Sequence, residues 1–354
     1  MRIPGFSGFN RWLKGRQRRA GPRAVILLYH RVHELSHDPQ LLSVTPDRFA
    51  RQLNHLRRNY RVVSLEKLTD TMEQCPDQID RQVAVTFDDG YADNLIHAKP
   101  LLEQYGVPAT VFVASGCLQQ GREFWWDELE SLFLQPSVLP AKLCLAINGG
   151  SREWALGNAA QYGHEESAQH RSWTILRQET PTPRHRIYRE LCTAIRPLSE
   201  PDREKVFDHL REWSGREAPV RETHRALTRE EVKQLASGQF VDVGAHTVSH
   251  SVLSTLSPED QKSEIQQSRN ELERLTMKPV TSFAYPYGTR SDYTLNTAAI
   301  VRDAGFAVAC SNIPESVTSG TDRYQLPRFI VRNWEEERFA CILDEWFRGN
   351  LEAE

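Results

Sequence analysis

No CxxC pair occurs in this chain; its six cysteines, at 75, 117, 144, 192, 310 and 341, are scattered through 354 residues. That spacing excludes a paired-cysteine zinc site and a dense disulfide framework, and reads as reduced thiols. No apolar run approaches the ~18 residues of a membrane span. The first apolar run, residues 24–29, is too short and lies too far in for the core of a secretory signal. Together these absences give the expectation of a cytoplasmic protein. Internal repeats and low-complexity tracts are lacking too. A net charge of −3 argues against a nucleic-acid-binding protein as a whole. Acidic residues are missing from Met1 to Val32, where Arg2, Arg11, Lys14, Arg16, Arg18, Arg19, Arg23 and Arg31 stand unopposed. Residues 1–23 are read as a basic N-terminal arm. It is either a solvated tail or, with Phe6, Phe9, Trp12 and Leu13, a peripheral contact with anionic lipid at the inner face of the membrane.

What is present is a rhythm of strands and helices. Buried-strand patterns cover residues 24–29, 61–63, 82–87, 109–114, 241–245, 282–285, 306–310 and 325–331. Between them lie helical patterns over 46–59, 65–73, 94–105, 228–236, 258–275, 293–304 and 335–348. Thr45 is the expected cap of the first helix, with Phe49, Leu53 and Leu56 on one face. Thr228 and Glu231 form a capping box, and Gly106 and Gly305 close two other helices. Repeated βα units imply parallel strands with helices outside, as an open sheet or a barrel. In both, functional residues collect at the C-terminal ends of strands.

Residues 121–223 break the rhythm. They are expected to be an insertion in one βα connection, with helices over 123–135, 166–178, 184–195 and 201–213 and a hairpin around the turn at 148–151. The barrel-like part is then 24–120 and 224–349, and the insertion is expected to cap its active-site face.

Chemistry-bearing residues recur at strand ends. The strand over 82–87 runs into Asp88, Asp89 and Gly90. Asp-Gly after a strand is a common turn; two adjacent carboxylates also suit a metal ligand beside a free base. The strand over 241–245 ends in His246, with His250 four residues on, a spacing used by metal clips. Two imidazoles and Asp89 leave open positions for water, the pattern of a catalytic site. A third strand end carries Tyr285-Pro286-Tyr287-Gly288, read as a turn or as a rim facing a sugar-sized ligand. His30 ends the first strand and Arg328 lies on the last.

Thr86-Phe87-Asp88-Asp89-Gly90, the His246–His250 segment and Tyr285-Pro286-Tyr287-Gly288 resemble, in order, the first three motifs of the polysaccharide deacetylase family. This is the carbohydrate esterase group that includes chitin, chitooligosaccharide and peptidoglycan deacetylases. The resemblance covers about residues 24–114 and 227–347. It implies a distorted (β/α)7-type α/β barrel, with one divalent metal, zinc before cobalt, manganese, nickel or iron. It implies Asp89, His246 and His250 as metal ligands, Asp88 as general base, and the Tyr287 backbone N–H at the oxyanion. The implied substrate is an acetylated glycan, N-acetyl before O-acetyl, in polysaccharide biosynthesis. The family's usual base-orienting arginine is replaced here by Ala284, and its last-motif Leu-His by Leu326-Pro327-Arg328. A circularly permuted subgroup takes its acid from an N-terminal Tyr-His strand; on that pattern His30 is the expected acid, and Arg328 is expected to orient Asp88.

Alternatives stay open: an amidase on a lipid-linked or nucleotide-linked sugar or a non-sugar amide, and an inactive carbohydrate-binding homologue. Most insertion tryptophans are expected to form its own core. Trp125 and Trp126 are the expected exceptions and glycan contacts, because neighbours on a helix point about 100° apart and cannot both face inward. The sequence leaves the oligomeric state open.

Overall fold

The computed structural model describes residues 21–118, 123–147, 149–216 and 220–350. Residues 1–20, which hold most of the basic arm, lie outside the described residues. Seven parallel strands form the central sheet: β1 (Ala24–Tyr29), β2 (Gln82–Phe87), β3 (Ala109–Val113), β4 (Val241–Ala245), β5 (Ser282–Ala284), β6 (Val308–Cys310) and β7 (Phe329–Ile330). Their spatial order is β6-β5-β4-β3-β2-β1-β7, with a short strand, Arg61–Val62, also paired to β2. The two ends of this order meet. A parallel bridge joins Cys310 to Leu326, and the Ser311 N–H donates to the Leu326 carbonyl at 2.8 Å. The curled sheet is therefore a distorted (β/α)7-type barrel, as the family resemblance implied.

Strand alternation sorts the side chains into two populations. On β1, Val25, Leu27 and Tyr29 face outward onto the helices, and Ala24 and Ile26 face the lumen. On β2, Val83, Val85 and Phe87 are outward and Ala84 is inward. The lumen cluster also takes Phe112, Ala284, Cys310 and Leu326, and is joined at its base by Leu65, Leu68 and Met72 of the helix Leu65–Gln74. Small residues on several strands make room for Phe112.

The surrounding helices follow from amphipathic patterning and clear caps. Pro46–Asn59 buries Phe49, Leu53 and Leu56, with Thr45 at its N-cap. Arg229–Leu235 has the capping box of Thr228 and Glu231. Gly106 adopts φ +62°, the left-handed end of a helix.

Three expectations needed correction. Residues 94–105 do not form one regular helix: Asn94–Ala98 is a π-turn and only Lys99–Tyr105 is α-helical. Pro100 has no N–H to offer to the regular ladder. Residues 166–178 are helical only as part of His164–His170. Beyond that point Trp173 is drawn into a hydrophobic cluster, and the Ile175 N–H goes to the Pro39 carbonyl at 2.8 Å instead of up a helix. The expected strand over 325–331 shrinks to Phe329–Ile330, because Pro327 cannot donate to a neighbouring strand.

Segment 123–216 builds a second hydrophobic cluster around the helices Trp125–Phe133, Pro183–Ile195 and Glu200–Ser214. The antiparallel pair Lys142–Ile147 and Gly150–Ala155 adds Leu143, Leu145, Ile147 and Trp154. Tyr91, Ala114 and Ala226 from the barrel part join it, so the two cores meet at the C-terminal strand ends.

Gly244 on β4 tests the lumen packing. A Cβ there would lie 2.4 Å from the Phe112 ring and 2.7 Å from Ser282 Oγ. Gly244→Ala is expected to cost about 1–3 kcal/mol through overpacking, read as a lowered midpoint in urea unfolding.

Candidate active site

Continuing the alternation past the strand ends puts His30, Asp88, His246 and Arg328 on the inward side. Asp88 follows β2, and its N–H donates to the Tyr29 carbonyl at 3.0 Å. Its two carboxylate oxygens each accept a 2.7 Å hydrogen bond from Arg328, Oδ1 from Nη1 and Oδ2 from Nη2. Arg328 Nη1 also reaches Thr86 Oγ1 at 3.2 Å, and Nε donates to the Ser311 carbonyl at 2.8 Å. Both partners are buried. Burial pushes the Asp88 carboxyl up, but the fully buried Arg328 outweighs it and holds Asp88 below the usual carboxylate range.

Asp89 diverges from Asp88 because its backbone turns. Its φ is +74°, and Thr247, His250 and Tyr287 also sit at φ +64°, +54° and +60°. Each such non-glycine conformation costs of order 1–3 kcal/mol and persists only where surroundings impose it. Here the surroundings are visible. The His250 N–H donates to Thr247 Oγ1 at 3.0 Å. Glu264 Oε2 accepts from the N–H groups of Val248 and Ser249 at 2.8 and 2.9 Å, and Oε1 from Ser249 Oγ at 2.8 Å. One acidic side chain thus anchors the turn carrying both histidines.

The turn brings Asp89, His246 and His250 together, each buried, with one donor atom apiece inside 4.8 Å of one another. Asp89 Oδ1 lies 3.6 Å from His246 Nε2 and 3.2 Å from His250 Nε2. His246 Nδ1 lies 2.7 Å from the Ala284 carbonyl, which only accepts, so Nδ1 carries the proton. With Nδ1 committed to that carbonyl, Nε2 is the ring atom turned toward the Asp89 carboxylate, in a buried place where His250 Nε2 also converges. The residues present fit a divalent metal with two nitrogen ligands, one oxygen ligand and open positions.

These groups floor a cleft of about 600 Å³. His30, Trp125, Trp126 and Tyr287 line it together with Asp88, Asp89, His246 and His250. Tyr285 does not. Its ring stacks on Tyr293 with centroids 4.0 Å apart, and its hydroxyl donates to the Tyr324 carbonyl at 2.8 Å. One residue beyond the inward Ala284, it points out to the helices. Trp125 and Trp126 are both buried, against the helical-angle expectation. Their helix is enclosed on most sides, so neighbouring residues find cover in different directions. Trp126 packs edge-on to His250, with ring centroids 5.1 Å apart; Trp125 donates through Nε1 to the Tyr287 hydroxyl at 3.2 Å.

Sequence reasoning missed a buried polar chain behind this wall. Trp126 Nε1 donates to the Tyr91 hydroxyl at 2.7 Å, and Tyr91 donates to Asp127 Oδ2 at 2.6 Å. The Arg31 guanidinium lies over the Tyr91 ring at 4.3 Å and binds Asp93 through Nε at 3.1 Å. Arg31 and Tyr91 follow His30 and Gly90 directly in sequence, which was the available signal; Glu264 had none.

A buried cluster of two histidines and one carboxylate that could hold a metal ion thus stands beside a second carboxylate at the C-terminal end of a (β/α) barrel. The polysaccharide deacetylase family model matches residues 76–200 and 209–309, and the chain belongs to that family. The match runs through most of segment 121–223, which the motif resemblance had not covered, and it stops short of His30 and Arg328. The Bacillus subtilis protein YxkH, itself assigned provisionally to the family, is 27% identical over 105 residues. That alignment spans 30% of this chain and 36% of YxkH. Among solved structures, IcaB of Ammonifex degensii superposes with a TM-score of 0.54 at 17% identity, covering 93% of this chain and 98% of that one. The Streptococcus pyogenes deacetylase PplD, solved with acetate, gives 0.51 at 17% identity over 90% and 96%. At these identities the likeness is one of fold.

Two expected outcomes follow. Asp89→Asn and His250→Ala are each expected to weaken zinc binding by at least tenfold in calorimetry of the metal-stripped protein, a difference of about 1.4 kcal/mol. Wild-type affinity in both would remove the ligand assignment. Asp127 gives a pH dependence. Burial, opposed by Arg31 and the Tyr91 hydroxyl, raises its carboxyl to about 7, above the unfolded value of about 3.9. Between those values this carboxyl binds more protons in the folded than in the unfolded state, so its contribution to stability falls as pH rises from about 4 to about 7. The imidazoles of His30, His185, His224 and His250, which burial pushes down, act in the opposite sense. The Asp127 contribution is therefore read as a difference: between pH 5 and pH 8 the change in urea-unfolding stability is expected to be less favourable in the wild type than in Asp127→Asn.

Proposed function

We propose that this protein is a metal-dependent hydrolase that removes the N-acetyl group from a sugar of an acetylated glycan, in the assembly of a polysaccharide. The observation that carries the reading is Asp88. It is buried, held ionised by Arg328 and adjacent to the ligand cluster, and binding alone gives no reason for a second carboxylate there. That argues against an inactive carbohydrate-binding homologue.

When bound at Asp89, His246 and His250, a divalent ion, zinc foremost, would polarise the acetyl carbonyl and acidify a water. Asp88 takes the proton from that water, and Arg328 keeps its two oxygens fixed in plane while it does so. The Tyr287 backbone N–H, presented by the left-handed turn, supports the negative oxygen of the tetrahedral intermediate. His30 stands in the same cleft and delivers a proton to the leaving nitrogen, since an amine anion is too basic to depart. Segment 121–223 caps the cleft, and Trp125 and Trp126 shape the wall against which the sugar rests. A cytoplasmic location, with the basic arm against anionic lipid, suits a precursor made at the inner face of the membrane.

Acetate release from N-acetylated oligosaccharides with added zinc, cobalt or manganese tests this reading. Asp88→Asn is expected to keep its metal and lose about 10²–10⁴-fold in turnover; a metal-free variant would sink the division of labour between the two acids. For His30→Ala the contrast between leaving groups decides. Amide cleavage is expected to fall by a similar factor while p-nitrophenyl acetate, whose phenolate needs no proton, is still hydrolysed. Equal losses on both substrates would remove His30 as the acid.

A further inference from the structure

The cleft has one wall that a glycan does not explain. Leu42, Ile175, Leu176 and Ile330 all line it, and contacts tie them into one continuous surface. The Arg31 N–H bonds the Leu42 carbonyl at 3.2 Å, the Val331 N–H bonds the Leu28 carbonyl at 2.9 Å, and Arg332 Nη1 reaches the Leu41 carbonyl at 2.6 Å. Across the cleft mouth, the Ile175 N–H bonds the Pro39 carbonyl at 2.8 Å, and Gln40 Nε2 donates to the Tyr188 hydroxyl at 2.7 Å. The loop after β1, the end of β7 and the loop after His164–His170 are thereby fastened together. Leu42 and Ile175 are partly buried against the cluster of segment 123–216 while still lining the cleft, and Leu176 is 64% exposed.

Gln40 and Arg332 also line this side, with Gln40 Nε2 turned to the Tyr188 hydroxyl and Arg332 Nη1 to the Leu41 carbonyl. Sugar hydroxyls set against the aliphatic side chains beside them would lose water without gaining partners, a cost of about 1–3 kcal/mol for each group. Hydrocarbon there gains instead. Polar partners for a sugar are available elsewhere in the cleft, at Thr289 and Asn312 beyond β5 and β6. A second fastening, Arg196 Nη2 to Asp292 Oδ1 at 2.5 Å, joins Pro183–Ile195 to the loop after β5. With links on both sides, the cleft has a polar floor and an aliphatic mouth, and it suits the end of a molecule better than the middle of a polymer.

Resting on the deacetylase reading above, we infer that the substrate is an amphiphile: an N-acetylated sugar carrying a hydrocarbon aglycone, with the acetamide on the floor and the hydrocarbon along Leu42, Ile175, Leu176 and Ile330. Calorimetry on the full chain, independent of turnover, compares methyl and octyl N-acetyl-β-glucosaminide, the latter below its micelle concentration, with an unlipidated N-acetylglucosamine tetramer. Octyl glycoside is expected to bind at least about tenfold more tightly than methyl glycoside. Leu176→Ser, a change at an exposed position, is expected to narrow that ratio toward one. Equal affinities for the two glycosides, a tighter tetramer, or an unchanged ratio in Leu176→Ser would each overturn the inference. Acetate release from the same three compounds separates it from its premise. Tight octyl binding with no acetate from any of them removes the deacetylase reading and keeps the hydrocarbon wall. Acetate release from both glycosides at equal efficiency, with equal affinity, does the reverse.

Discussion

The guanidinium of Arg328 and the carboxylate of Asp88 meet, both buried, at the floor of the cleft. Each would be costly to bury alone, and breaking such a pair leaves an uncompensated charge worth about 3–5 kcal/mol. Because the two residues come from opposite ends of the sequence, the pair ties β7 to β2 next to β1. It also decides what Asp88 is. Burial alone would push that carboxyl up; Arg328, spanning both its oxygens, holds it below the usual carboxylate range and fixes it in plane.

Asp89, one residue on, is made different by backbone alone. A left-handed φ swings its side chain toward His246 and His250. Four strained non-glycine residues gather at this one place, and the hydrogen bonds of Thr247 and Glu264 hold the histidine turn in shape. The chemistry of the site thus depends on two devices. One is a buried ion pair that sets a charge, and the other is a tightly bonded turn that sets direction. The aromatic rings of Trp126 and Tyr287, packed around His250, couple both to segment 123–216.

Much of this is legible in the sequence. The β-strand period of two, carried beyond each strand end, puts His30, Asp88, His246 and Arg328 on one side. The same count places Tyr285 on the other side, so its loss from the cleft was also readable. The adjacent tryptophans were not readable that way. A helix wheel assumes one covered face, and the helix Trp125–Phe133 is covered on several. The bend at Ile175 was hidden too, because its cause is the Pro39 carbonyl, distant in sequence.

By itself the sequence determined the strand and helix periods, the caps, the ordered motifs and the acid and histidine pairs, since these are set by neighbours a few residues apart. Only the tertiary structure decided that Arg328 reaches Asp88, that Glu264 holds the histidine turn, and that aliphatic loops fasten across the cleft. Those outcomes depend on which strand ends become neighbours when the sheet curls and its first and last edges meet. No local pattern records that closure.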